Sequence, residues 1–250
     1  MFRGPKHEPM ESRLSIAFTF PGQGSQAVGM GKALADAFPS AKAVFDEVDS
    51  ALSQKLSALM WEGPEADLTL TANAQPALMT VSMAVIAVLK AEYGITVANT
   101  AKFVGGHSLG EYSALAAAAT FSLSDTARLL RIRGNAMQSA TPVGVGAMAA
   151  ILGLDFADVA AVAKEAAQGD VCQAANDNSS GQVVISGHKS AVDRACELAK
   201  AKGAKRAILL PVSAPFHCAL MKPAADAMAE ALMNVTMNAP SIPLIANVVA

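Results

Sequence analysis

The stretch Lys102-Phe-Val-Gly-Gly-His-Ser-Leu-Gly110 decides the fold. Its first four residues predict a short strand, and the Ala-rich segment 109–119 predicts a helix. A Gly-x-Ser-x-Gly sequence between a strand and a helix is typical of a sharp turn that exposes the serine hydroxyl at the carboxyl edge of a sheet. The amide groups and positive dipole end of the following helix then face any oxyanion that forms there. Ser108 is therefore a candidate nucleophile, and the alternative is a glycine-rich turn with an N-capping serine.

Apolar runs and helical patterns alternate on both sides of this turn. Residues 14–20 predict a strand, residues 40–59 and 76–92 predict helices, and Ser124 is expected to cap a further helix that ends near residue 139. Alternation of this kind favours a parallel sheet with crossover helices.

Between residues 142 and 211 the pattern changes to a βαββαβ order. The predicted strands and helices, in order, are 145–152, 155–167, 171–176, 182–186, 190–201 and 206–210. This order is the ferredoxin-like signature. We therefore predict an α/β fold in which a hydrolase-like, parallel-sheet large domain carries an inserted ferredoxin-like small domain. The large domain is expected at 14–141 plus 212–250, the small domain at 142–211, and a disordered leader at 1–13.

Composition restricts the class of protein. The 250 residues are 52% hydrophobic but only 5% aromatic, and the net charge is −2, which argues against general nucleic-acid binding. The longest apolar stretch, 77–89, is shorter than a membrane span, and no signal-peptide pattern is visible near the start. Three cysteines without paired or metal-type spacing suit a reducing compartment. We expect a cytoplasmic protein that binds neither membrane nor metal.

A nucleophilic serine needs a base, and the sequence offers four histidines. His7 falls in the leader, His107 neighbours Ser108 on the turn, and His188 lies at the start of a small-domain helix. His217 follows a predicted strand where the chain re-enters the large domain, and loops at strand ends are where catalytic side chains gather in open α/β sheets. Elimination makes His217 the best candidate for the base.

Arg133 stands out because the residues three and four positions away are all apolar: Leu129, Leu130, Ala136 and Met137. A guanidinium on the core-facing stripe of a helix needs an anionic partner, because an unpaired buried charge is strongly destabilising. The partner is either an internal carboxylate or the carboxylate of a substrate, for which the planar guanidinium is well shaped.

Four segments together carry a family resemblance. They are Phe20-Pro-Gly-Gln-Gly-Ser-Gln26, Gly106-His-Ser-Leu-Gly-Glu-Tyr112, Arg133, and Pro211-Val-Ser-Ala-Pro-Phe-His-Cys-Ala-Leu-Met221. In this order and over nearly the whole chain, they resemble the malonyl-CoA:acyl carrier protein transacylases of bacterial fatty acid synthesis. The resemblance implies a ping-pong transfer of malonyl from coenzyme A to the phosphopantetheine thiol of an acyl carrier protein, by a monomer without cofactors.

The resemblance also implies roles for individual residues. Ser108 would carry the malonyl group, and His217 would be the base, its ring oriented by a backbone carbonyl instead of a carboxylate. Arg133 would pair with the malonyl carboxylate. Gln23 and Leu109 would supply the backbone amides of the oxyanion hole.

Two alternatives stay open from the sequence. A serine hydrolase or thioesterase shares the turn but usually follows the order Ser, acid, His, for which Asp170, Asp177 and Asp193 are nominal acids. The other is an inactive, truncated fragment that binds a carrier protein, because members of the family continue beyond residue 250. The segment expected there supplies the carbonyl that orients the catalytic histidine.

Overall fold

The computed structural model describes residues 15–142, 144–212 and 214–248. The predicted disordered leader at 1–13 lies outside these residues. Seven strands and eleven α-helices are described, together with a 3₁₀ turn at Ala219–Met221. In chain order they are β1 (Ala17–Phe20), α1 (Lys32–Ala37), α2 (Pro39–Leu52), α3 (Leu56–Glu62), α4 (Glu65–Thr69), α5 (Thr71–Tyr93), α6 (Val97–Thr100), β2 (Phe103–Gly106), α7 (Gly110–Ala117), α8 (Leu123–Ser139), β3 (Gly146–Leu152), α9 (Phe156–Ala167), β4 (Cys172–Ser179), β5 (Gln182–His188), α10 (Lys189–Ala201), β6 (Arg206–Leu209), α11 (Lys222–Met233) and β7 (Leu244–Ile245).

A parallel sheet of order β1-β2-β7 forms the base of the site. In its central strand, Val104 is fully buried and packs in a cluster with Phe20 and Ala114. Phe20 is paired with Gly106, so β1 and β2 both end at the same carboxyl edge of the sheet. That edge is where open parallel sheets place their ligands.

Helices cover this sheet, and α5 lies at the centre of the helical layer with α2 and α8 beside it. By length and composition alone α5 is long and apolar enough to cross a membrane, although half of its most apolar window is buried inside the protein. Its fully buried side chains, such as Ala77 and Met79, pack against Phe45, Leu56 and Leu130. This burial identifies α5 as a core helix.

The second sheet is antiparallel and has the order β4-β5-β3-β6, which is the ferredoxin-like arrangement. Helices α9 and α10 pack on one face of it around Ile151, Val162 and Ile185. Met148 and Val184 on the other face pack against Phe216. The fold class predicted from the sequence is confirmed, and the exact domain boundaries stay predictions.

Three local predictions were wrong. The helix expected over 40–59 is broken at Ser53, whose φ of 48° is left-handed, because buried Asp49 accepts hydrogen bonds from N and Oγ of Ser57. Helix α5 begins at Thr71 and continues through Pro76, because Thr71 and other side chains before the proline are buried. Ser122, not Ser124, caps α8, since its Oγ accepts from N of Asp125.

Candidate active site

The turn after β2 places Ser108 in a strained conformation. Its φ is +54°, in the left-handed region that residues with a side chain rarely adopt. The flanking glycines allow the chain to pass closely: a Cβ on Gly106 would lie 2.1 Å from backbone atoms of Gly110, and a Cβ on Gly110 would lie 2.4 Å from O of Phe20. The predicted sharp strand-to-helix turn is therefore present.

Ser108 and His217 meet although 109 residues separate them. Oγ of Ser108 and Nε2 of His217 are 3.1 Å apart, within hydrogen-bond distance. His217 has a φ of +59°, so both residues sit in left-handed backbone. Within the described ranges, Nδ1 of His217 has no hydrogen-bond partner.

The electrostatic surroundings keep His217 neutral. Partial desolvation of the ring at the cavity lowers the pKa of His217 to about 4, although the residue as a whole is exposed, and the positive charge of Arg133 and the proximity of His107 act in the same direction. A neutral imidazole at pH 7 has a free lone pair for the serine proton.

Arg133 approaches the same hydroxyl from α8. Its Nη2 donates to Oγ of Ser108 at 3.1 Å, and its Nη1 donates to Oε1 of Gln75 at 2.7 Å. Burial lowers the pKa of Arg133, whereas Tyr112 and Glu111 act to raise it. No ion pair joins Arg133 to a carboxylate in the described part of the chain.

Two neighbours of Arg133 were missed by the sequence analysis. Gln75, on α5, is 1% exposed and bridges Arg133 to the sulfur of Met137, its Nε2 lying 3.4 Å from Sδ. The ring centroid of Tyr112 lies 5.7 Å from the Arg133 guanidinium carbon, a cation–π distance. Gln75 lies 58 residues before Arg133, and no local pattern indicates this contact.

Gln23 and Leu109 are the two residues whose backbone amides the resemblance assigns to the oxyanion hole. Gln23 follows β1, and its Nε2 donates to Oγ1 of Thr71 at 3.3 Å. Leu109 is 1% exposed and directly precedes α7. Neither backbone amide donates to an acceptor among the described residues. Both residues line the same cavity as Ser108.

That cavity has a volume of about 540 Å³ and lies between the two sheets. Its lining combines the serine turn, the carboxyl end of β4, and the segment that follows β6. The lining residues that matter here are Gln23, Gln75, Ser108, Leu109, Phe216 and His217. The volume is within the range of small-molecule sites. Most of the wall is apolar.

None of the three nominal acids of a serine hydrolase, Asp170, Asp177 and Asp193, is hydrogen-bonded to His217 in the described part of the chain. Asp170 accepts hydrogen bonds from Ser190 and Arg194 in the small sheet region. Asp193 pairs with Lys189. Among the residues that the structure describes, no cluster of three or more His, Cys, Asp or Glu side chains suits a metal ion.

The chain is similar in sequence to a known family of proteins and to individual members of it. The Acyl transferase domain family matches residues 17–250. The malonyl CoA-acyl carrier protein transacylase of Escherichia coli K12 is 51% identical over 233 residues, which cover 93% of this chain and 74% of the relative.

The chain is also similar to solved structures of proteins that carry the same activity in their names. The crystal structure of acyl-carrier-protein-S-malonyltransferase from Bartonella henselae is 63% identical, with a TM-score of 0.91, over 94% of this chain and 74% of that one. A malonyl-transacylase solved in complex with a type II polyketide synthase acyl carrier protein is 45% identical, with a TM-score of 0.88, over 92% of this chain and 74% of that one.

Proposed function

Because this chain belongs to the malonyl CoA-acyl carrier protein transacylases, within the acyl transferase domain family, we propose that it transfers malonyl from coenzyme A to an acyl carrier protein through an ester on Ser108. The family membership confirms the resemblance predicted from the four motifs. The observation that carries the proposal is the meeting of two groups at one hydroxyl: Oγ of Ser108 lies 3.1 Å from both His217 Nε2 and Arg133 Nη2.

In the first half-reaction, Oγ of Ser108 attacks the thioester carbonyl of malonyl-CoA while Nε2 of His217 takes the hydroxyl proton. The oxyanion of the tetrahedral intermediate accepts hydrogen bonds from the amides of Leu109 and Gln23, a role that their position beside Ser108 supports. The carbon–sulfur bond then breaks, and His217 returns the proton to the sulfur of the departing coenzyme A. The malonyl group remains as an ester on Ser108.

The second half-reaction uses the same groups in the opposite direction. The phosphopantetheine thiol of the carrier protein gives its proton to His217, and its sulfur attacks the malonyl ester. When the intermediate collapses, the carbon–oxygen bond to Ser108 breaks and His217 reprotonates Oγ. The complex of a related malonyl-transacylase with its acyl carrier protein supports such a partner for this chain. No redox step or cofactor is needed for either exchange.

Arg133 accounts for the choice of malonyl. A buried guanidinium whose described partners are a glutamine amide and a hydroxyl keeps a full positive charge free for an anion. An acyl group on Oγ of Ser108 extends from an atom that already contacts this guanidinium, so the free carboxylate of malonyl lies within its reach. An acetyl group offers no such partner.

The test is covalent labelling followed by transfer. Incubation with malonyl-CoA should add one malonyl group to the chain, detected by intact-protein mass spectrometry, and holo carrier protein should then remove it as malonyl-carrier protein. Ser108→Ala should abolish the adduct, whereas Ser124→Ala, which removes a hydrogen bond from the first turn of α8 to Glu47, should leave it unchanged. A malonyl adduct that persists in Ser108→Ala would exclude Ser108 as the nucleophile.

The same assay separates the alternatives. A hydrolase would release free malonate at the rate at which the ester forms, and an inactive fragment would form no ester. The relatives named above are acyltransferases, so the hydrolase alternative is not retained. A monomeric state and a cytoplasmic location remain predictions from the sequence.

A further inference from the structure

The turn at Ser108 is held by a side chain from the end of the described chain. Asn247, two residues after β7, accepts a hydrogen bond through Oδ1 from N of Ser108 at 3.1 Å. Its Nδ2 donates to O of Gly106 at 2.7 Å. One amide side chain therefore bonds the backbone on both sides of His107, across the tightest part of the turn.

Glu111 fixes the orientation of that amide. Oε2 of Glu111, in the first turn of α7, accepts a hydrogen bond from N of Asn247 at 2.9 Å and a second from Nδ2 of Asn247. Nδ2 thus faces two acceptors, while Oδ1 faces a donor. Only one of the two amide orientations satisfies all these partners.

This contact matters because Ser108 is held in left-handed backbone, with φ at +54°. Such a conformation in a residue with a Cβ persists only when its surroundings hold it. Asn247 also occupies the amide of Ser108 itself. The adjacent amide of Leu109 has no acceptor among the described residues, and Leu109 lines the cavity where the proposed oxyanion forms.

We propose that Asn247, oriented by Glu111, is a positioning residue for acyl transfer. It holds the turn so that Oγ of Ser108 faces His217 and the amide of Leu109 faces the acyl carbonyl. Asn247 is not among the residues that line the cavity, so it acts through the backbone and not by contact with substrate. This inference rests on the proposed function, because its effect is read out in acylation.

The first test is Asn247→Ala. Small displacements of a reacting group reduce rates by up to about 100-fold, so the single-turnover rate of acylation by malonyl-CoA should fall about 10- to 100-fold. The half-saturating concentration of malonyl-CoA should change less than about threefold, because the cavity wall is unaltered. Asn234→Ala is the matched control, since Asn234 caps the distant helix α11 through O of Glu230, and it should acylate at the parental rate.

A second set of variants tests the role of Glu111 without removing the side chain at 247. Asn247→Asp keeps an acceptor for the Ser108 amide, but it loses the donor to O of Gly106 and places a carboxylate against Glu111, so it should acylate as slowly as Asn247→Ala. Adding Glu111→Gln to Asn247→Asp removes the repulsion between like charges and supplies a donor, so acylation should recover about fivefold or more. Circular dichroism of each variant reports whether it is folded.

The outcomes distinguish this inference from the function on which it rests. If the parental chain takes no malonyl group from malonyl-CoA, the proposed function itself is contradicted. If the parental chain is acylated and Asn247→Ala is acylated at the same rate, only the positioning role is overturned. If Asn247→Ala does not fold, the comparison of Asn247→Asp with its Glu111→Gln double variant decides, and the absence of any recovery would count against the role.

Discussion

Arg133 donates a hydrogen bond from Nη2 to Oγ of Ser108 across 3.1 Å. The guanidinium occupies an acceptor position of the hydroxyl, so the hydroxyl proton is left to point at Nε2 of His217, which is also 3.1 Å away. The group proposed to select the substrate and the group proposed to activate the nucleophile therefore meet on a single atom. Substrate choice and nucleophile activation therefore share this atom, and the malonyl-to-acetyl ratio and the pH dependence are the measurements that distinguish them.

Arg133→Ala should change substrate preference and not only rate. Removing one partner of a buried, charged hydrogen-bonded pair costs about 2–5 kcal/mol, or about 30- to several-thousand-fold. We expect kcat/KM for malonyl-CoA to fall by that factor, while the value for acetyl-CoA holds or rises because an unpaired guanidinium no longer has to be desolvated. The measurement is the ratio of the two constants in parent and variant.

Arg131→Ala is the matched control for that experiment. Arg131 lies two residues earlier on α8 and is half-buried, where it donates to Asn73 and Gln54 at 2.6 Å each. Its removal should lower stability but leave the malonyl-to-acetyl ratio unchanged. An equal loss for both substrates in Arg133→Ala would mean that Arg133 supports the fold and does not select the substrate.

Gln75→Ala should weaken malonyl transfer through Arg133. Without Gln75, Nη1 of Arg133 loses its 2.7 Å acceptor, and an unsatisfied buried donor costs about 1–3 kcal/mol. We expect kcat/KM for malonyl-CoA to fall about 5- to 150-fold, with a smaller effect on acetyl-CoA. Gln54→Ala removes the corresponding acceptor of Arg131 and should leave both constants near their parental values. Identical changes in the two glutamine variants would contradict the proposed link.

Much of this site could be predicted from local sequence because its main parts are local. The strand, the glycines and the helix around Ser108 are contiguous, and steric limits on the turn follow from residue type alone. The inward position of Arg133 follows from helical spacing, since its apolar neighbours Leu129, Leu130 and Met137 are all buried. The small sheet was also predictable, because short strands with turn signals alternate with two amphipathic helices.

The supporting contacts could not be predicted, because they depend on tertiary packing. Gln75 reaches Arg133 from a helix 58 positions earlier, and Asn247 reaches Ser108 from 139 positions later. Amide side chains have no periodic signature that would place them beside a particular partner. The break of the 40–59 helix likewise depends on a single buried side chain, Asp49, that captures the amide of Ser57.

Gly106→Ala should disrupt the turn, whereas Gly105→Ala should not. An added Cβ at position 106 would lie 2.1 Å from backbone atoms of Gly110, and backbone cannot move aside as a flexible side chain does. At position 105 the nearest atom is Cβ of Ile245 at 3.5 Å, an ordinary contact. We expect Gly106→Ala to lower the free energy of unfolding by about 3 kcal/mol or more and Gly105→Ala by less than about 1 kcal/mol. Urea denaturation measures both, and similar values would contradict the steric argument.

The pH dependence of acylation should follow His217. The base acts only when unprotonated, and its pKa is lowered to about 4, first by burial and then by the charge of Arg133. The kcat/KM for acylation, which reports the free enzyme, should therefore stay constant from pH 8 down to about 5 and fall by half near pH 4. An unperturbed histidine would instead give a midpoint at about 6.5. The reaction is measured by a brief jump from pH 7 to the test pH, followed by rapid quenching, so that the protein has little time to unfold in acid. With acetyl-CoA as the substrate, Arg133→Ala should move the midpoint upward, because the imidazolium no longer faces the charge of Arg133. A midpoint that stays in place would show that Arg133 does not contribute to the lowered pKa of His217.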